Sequence, residues 1–333
     1  MRRIVSGLIY GLSGAIGVLA FLYPFFAPMA GGTTTGIAHS QDAPLVTAVL
    51  VGLSVSALIV ELQGRSLSAK TVAMLGILVA VTSVLRFLEV AFPMPGGFSP
   101  IFAPIIIAGY VFGGRFGFLM GAFTLLVSGL ITGGVGPWLP YQMFTAGWAG
   151  LTAGWLGRMS ERAKERISER ANRRISERAN RRISERANRR ISERANRRES
   201  ESANQRESES ANRRESESRF TSYVLPTKRQ VARLDVLALC AFGFIWGLLY
   251  GAIMNIYFWP FAMGPAEQTW SPGIGLGETL ARYGTFYVVT SLAWDLVRSV
   301  GNALMILLLG APVIQALTRF RRRFHFEVRT SDV

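Results

Sequence analysis

Runs of 13 to 25 apolar residues recur along this chain, most of them with no charge at their centres. A helix needs roughly 20 such residues to cross about 30 Å of hydrocarbon. The sequence therefore predicts an all-α polytopic membrane protein with about eight transmembrane helices. Their expected bounds are 4–28, 44–62, 71–92, 101–113, 116–133, 138–157, 231–258 and 287–317. The run 101–113 is short, since 13 residues rise only about 20 Å as a helix.

The basic residues test that threading, because cytoplasmic loops carry the excess of Lys and Arg. Arg2 and Arg3 precede the first span, and segment 29–43 after it has neither residue type. Arg65 and Lys70 follow the second span, and 93–100 is uncharged. Arg115 follows the fourth, and the next loop, GGVGPWLP, is uncharged. A long basic segment follows the sixth, 259–286 holds only Arg282, and Arg319 to Arg323 follow the eighth. The expected location is the plasma membrane, multi-pass, with both termini cytoplasmic. The run from Arg2 to Pro28 is too long for a signal-peptide core, and GGTTTG is a poor cleavage site, so an uncleaved helix is expected.

A net charge of +15 invites a nucleic-acid reading, but its distribution opposes it. Twenty-two of the 36 Lys and Arg, with 12 of the 21 acids, lie between Arg158 and Arg229. That segment contains four perfect copies of ISERANRR over 167–198 and two degenerate copies after them. Its one apolar residue per octad drifts about 80° round a helix at each repeat, so no stripe forms and no core is built. Glu169 four residues before Arg173 favours a helix, and the reading is a cytoplasmic linker, disordered or a solvated single helix. Binding to acidic lipid headgroups is the alternative.

Cys240 is the single cysteine, and His39 and His325 stand far apart, so no metal site is expected. No cofactor is expected either. A phosphate-binding GxxxxGK[ST] loop is absent, which excludes ATP hydrolysis by that route.

Helices in lipid associate through small residues that admit close backbone contact. Four stripes have that spacing: Gly7, Gly11 and Ala15; Gly113, Gly117 and Gly121; Ala146, Gly150 and Gly154; Gly243, Gly247 and Gly251. Packing within the chain is the plain reading of each. Gly76 and Ala80 in the third span form a smooth face that could instead meet another subunit.

Ionisable groups inside a bilayer are costly and often mark a substrate path. Under this threading, polar groups of four spans reach the outer half of the membrane. They are Arg86 and Glu89; Trp138, Tyr141 and Gln142; Asn255 and Tyr257; and Asp295, with Arg298 and Asn302 deeper. These are the candidate substrate-binding residues of a pocket open to the outside. Arg86 with Glu89, and Asp295 with Arg298, fit structural ion pairs equally well. Trp138 and Tyr141 also fit the interfacial aromatic belt.

Three stretches carry a family resemblance. They are PIFAPIIIAGYVFGGRFGFLMGAFTLLVSGLITGGVGPWLPYQMFTAGWAGLTAGWLGR (100–158), MNIYFWPF (254–261) and TSLAWDLVRSVGNALM (290–305). Spans three to eight resemble the six-helix substrate-binding S component of energy-coupling factor (ECF) vitamin transporters. The resemblance implies capture of a vitamin or related micronutrient from outside, under the loops 93–100, 133–140 and 259–286. It also implies docking on a transmembrane coupling (T) subunit that carries a pair of ATPase subunits. The family's first core helix uses an Ala-x-x-x-Ala contact, and Gly76-Ile-Leu-Val-Ala80 keeps its small-residue spacing. The Met-x-His start of the metal-ion relatives is replaced by Met-Arg-Arg.

The expected organisation is then two N-terminal transmembrane helices over 1–70 and core helices over 71–157. The basic octad linker covers 158–229, the last two core helices 230–318 and a basic tail 319–333. The alternatives are an integral membrane enzyme acting on a lipid-linked substrate, or an assembly or scaffold protein. The enzyme reading suffers because Glu89 and Asp295 each have an Arg three residues away.

Overall fold

The computed structural model describes residues 2–26, 69–92, 98–203 and 228–324, with isolated positions between 48 and 59. The expected second span, both histidines and the degenerate octads lie largely or wholly outside the described residues. Every regular element among them is a helix: α1 (Arg2–Phe26), α2 (Ala69–Ala91), α3 (Phe102–Phe112), α4 (Gly114–Thr132), α5 (Leu139–Ala203), α6 (Lys228–Phe258), α7 (Leu276–Thr290) and α8 (Leu292–Phe324). A single 3-10 turn, Trp259–Phe261, follows α6.

Four segments are long and apolar enough to cross a membrane: Lys70–Ala91, Gly114–Thr132, Arg233–Phe261 and Leu292–Arg322. Gly7–Leu22 and Phe102–Phe112 are shorter apolar helices. The helices thus bear out a multi-pass α-helical protein, while the count of eight crossings is not established by them.

Two compact units exist, Met1–Met159 with Ala232–Val333, and Ser160–Val231. In the first, α2 packs on α4, and α3 lies against both α4 and α8. Ile105, Ile106, Leu119, Met120, Tyr141 and Phe144 are fully buried there. Large apolar side chains stay exposed on α2 and α8, among them Ile77, Val81, Leu307 and Leu308. Lipid-facing helices need such surfaces. In the second unit the perfect octads are helical, with exposed side chains over 172–194 and ion pairs such as Arg173–Glu177 at 3.0 Å.

The glycine stripes act where backbones touch. A Cβ on Gly117 would strike the Gly150 backbone, one on Gly121 would strike Ala146, and one on Gly154 would strike Gly114. Gly113 is a correction to its stripe: it ends α3 with φ of 99°, a left-handed conformation that glycine adopts without a Cβ clash, and it faces open space. The α3–α4 turn thus displaces Gly113 and brings Gly114 to the seam. Gly7 and Gly11 also face open space, and α1 approaches α5 through Gly17, against Phe144 and Trp148.

The sequence read 259–286 as a loop and began the last span at 287. Instead α7 occupies 276–290, and the chain breaks at Ser291 before α8 begins. Glu278 and Arg282, an i,i+4 pair on α7 with Nε–Oε1 at 3.0 Å, were the overlooked helical signal.

Candidate functional site

Arg86 and Glu89 lie one turn apart on α2, and the guanidinium donates to the carboxylate at 2.6 Å. The second Glu89 oxygen accepts from the Ser99 hydroxyl at 2.8 Å, which ties the segment before α3 to α2. Beside Ser99, the Phe98 ring lies on the α-carbon of Gly301 in α8, where any side chain would collide with it. On α8, Arg298 pairs with Asp295, which is 2% exposed. The Arg298 guanidinium stands 5.1 Å from the centre of the Tyr250 ring of α6, a cation–π distance. Phe102 meets the same ring edge-on, with centroids 4.6 Å apart.

These pairs form one cluster. Glu89 feels the charge of Arg298 as well as Arg86, and Tyr250 feels all four charges. The structure therefore brings Arg86, Glu89 and Asp295 together, with Tyr250 and Arg298 as the joining residues. Tyr250 was absent from the sequence candidates, although it stands two turns before Tyr257 on the same helix face.

Along α6 and α8 an antiparallel register follows. Asn255 donates to the Ser291 hydroxyl at 2.7 Å, Gly251 admits Asp295, and Gly247 admits Ser299. Ser299 and Asn302 are fully buried, and neither the Ser299 hydroxyl nor either amide atom of Asn302 has a hydrogen-bond partner among the described residues.

A second group is aromatic. Tyr141 is completely buried, with the Tyr257 ring 4.4 Å away and Phe21 edge-on at 4.9 Å. Gln142 beside it is half-buried and makes no side-chain hydrogen bond among the described residues. Trp138 belongs to neither group: its ring is exposed and its Nε1 donates to the Gly134 carbonyl at 3.2 Å. The segment after α6 is pinned by Trp259, whose Nε1 donates to the Gln268 carbonyl at 2.8 Å. Tyr283 of α7 donates to the Ala252 carbonyl, and burial, with Tyr287 and Asp295 adding, pushes its phenol up so that it stays a donor.

Gly76 and Ala80 both lie exposed on α2, with nothing within 4 Å of a Cβ placed on Gly76. No group of three or more His, Cys, Asp or Glu stands together among the described residues.

This arrangement offers fixed charges, amides and ring faces within a helical membrane bundle, and each clustered carboxylate is already held by an arginine. It sits in a multi-pass helical membrane protein. Residues 70–310 match the family model of the ECF transporter substrate-specific component, and the chain belongs to that family. No curated protein and no solved structure matches the chain. Its role is thus substrate capture within a transport complex of ECF components.

Proposed function

We propose that this protein captures a vitamin or related micronutrient from the extracellular side, as the S component of an ATP-driven importer. Its partners are a transmembrane T subunit and a pair of ATPase subunits, and it resides in the plasma membrane with both termini cytoplasmic. The observation that carries the reading is the convergence of Arg86, Glu89, Tyr250, Asp295 and Arg298 from three helices under the Phe98–Ser99 segment, in a chain of this family. Small-molecule sites combine apolar walls with a few placed polar groups. Tyr141 and Tyr257 supply wall, and Gln142 offers an amide with unspent donors and acceptor. Gly76 and Ala80 form the docking face for the T subunit, supported by their exposure on α2.

The rival reading, an enzyme acting on a lipid-linked substrate, needs a carboxylate free to move a proton. Glu89 is already engaged by Arg86 and Asp295 by Arg298, which counts against it. The test is to purify the protein in lipid nanodiscs, denature it and identify released small molecules by mass spectrometry. A stoichiometric micronutrient is the expected result; an unchanged preparation with lipid-linked intermediates turned over would overturn the proposal.

A further inference from the structure

The N-terminal helix lies outside the matched residues 70–310, yet its two faces differ in kind. Leu8, Leu12 and Leu19 are exposed aliphatic residues, as lipid contact requires. The opposite face is aromatic and packed. Tyr10 stands edge-on to Phe118 at 5.6 Å, and Phe21, 3% exposed, packs against Tyr141 and lies 5.9 Å from Trp148. One turn further on, Phe25 meets Trp270 edge-on at 5.4 Å and Trp259 at 5.9 Å. Gly17, one turn before Phe21, lacks the side chain that would hold α1 away from Phe144 and Trp148. A helix serving only to anchor the chain in lipid has no need of this face.

The two phenylalanines reach different parts of the outer site. Tyr141 passes the contact of Phe21 to Tyr257, and it precedes Gln142 on α5. Trp259 and Trp270 flank the segment 262–269, which has no regular structure and is otherwise tied by the Trp259–Gln268 bond and by Arg282 donating to the Thr269 carbonyl at 3.2 Å. We infer that α1 is a working part of the capture site: Phe21 positions Tyr141, and Phe25 positions the 259–275 segment over the outer end of the bundle. This rests on the capture reading for its purpose, but the positioning itself is measurable without any bound molecule.

The experiment is hydrogen exchange on the full chain in nanodiscs, comparing the unaltered protein with Phe25→Leu and Phe25→Tyr. Leucine keeps an apolar side chain and loses the ring contacts, whereas tyrosine keeps them. Edge-to-face contacts of this kind lead us to expect amides of 262–275 to exchange roughly 2- to 10-fold faster in Phe25→Leu. Exchange in α3 and α4 and the melting temperature should stay unchanged, and Phe25→Tyr should restore slow exchange. Retention of the compound that co-purifies with the unaltered protein, quantified by mass, should fall in Phe25→Leu and recover in Phe25→Tyr. Unaltered exchange at 262–275, or a uniform rise across all helices, would overturn the inference. So would faster exchange with retention unmoved, because the segment would then be no part of the site. A preparation that retains no compound counts against the capture reading alone, and the exchange result still decides the positioning.

Discussion

The carboxylate of Asp295 lies against the α-carbon of Gly251, in the space that a Cβ on that glycine would need. Glycine at 251 is therefore a condition for burying the Asp295–Arg298 pair between α6 and α8. Gly251→Ala should destabilise the protein by about 1–3 kcal/mol through overpacking. Gly76→Ala, with open space around it, should change stability by less than about 0.5 kcal/mol. Thermal melting of both variants in the same detergent checks the contrast.

Removing one partner of the buried pair should cost more than crowding it. Asp295→Ala leaves Arg298 without its carboxylate inside the bundle, a loss of about 3–5 kcal/mol for a fully buried ion. Arg298 keeps 17% of its side-chain surface, which places the expectation at the lower end of that range. Deleting both charges with Asp295→Ala and Arg298→Leu should recover part of the loss. A double variant less stable than the single one would show that the pair is not coupled in this way.

Gln142 and Asn255 separate binding from structure. Gln142→Ala should weaken retention of the captured compound by roughly 5- to 150-fold, the cost of one stranded polar contact, with melting unchanged. Asn255→Ala breaks the bond to Ser291 between α6 and the start of α8, so it should lower the melting temperature as well. Calorimetry and melting of the two purified variants would read this, and equal behaviour would refute the distinction.

Docking should fail before binding does when the α2 face is obstructed. Gly76→Trp and Ala80→Trp should abolish uptake in cells that carry the coupling and ATPase subunits, because a bulky side chain holds helices apart. The isolated variants should retain the compound as the unaltered protein does. Normal uptake in both would place the interface elsewhere.

The octads have no apolar face to lend to the bundle. Deleting 161–218 should leave retention within about tenfold, equivalent to 1.4 kcal/mol. A cysteine-reactive, membrane-impermeant label should reach a Cys inserted in the repeat only after the cells are opened. Labelling of intact cells would invert the threading.

Some of this architecture is written within single helices. Each residue of a helix turns the chain about 100°, so Arg86 and Glu89, or Asp295 and Arg298, must stand close whatever surrounds them. The same regularity set Gly117 and Gly121 on one face and Ala146, Gly150 and Gly154 on another, and the structure presses those faces together. The composition of the runs dictated helical membrane spans, because about 20 consecutive apolar residues are what a helix needs to cross the hydrocarbon.

Tertiary structure alone decided which faces meet. Every membrane helix here is apolar around most of its surface, so hydrophobicity cannot choose partners among them. That is why Tyr250 as the link between two ion pairs, Ser99 on Glu89 and Phe21 on Tyr141 were not legible in the sequence. It is also why the bond from Asn255, a candidate substrate-binding residue, to Ser291 could not be foreseen. The bounds of α7 and the place of Gly113 depended on local backbone turns at Ser291 and at the α3–α4 junction. A turn of that kind leaves no periodic trace, since it occupies one residue while periodicity is a property of many.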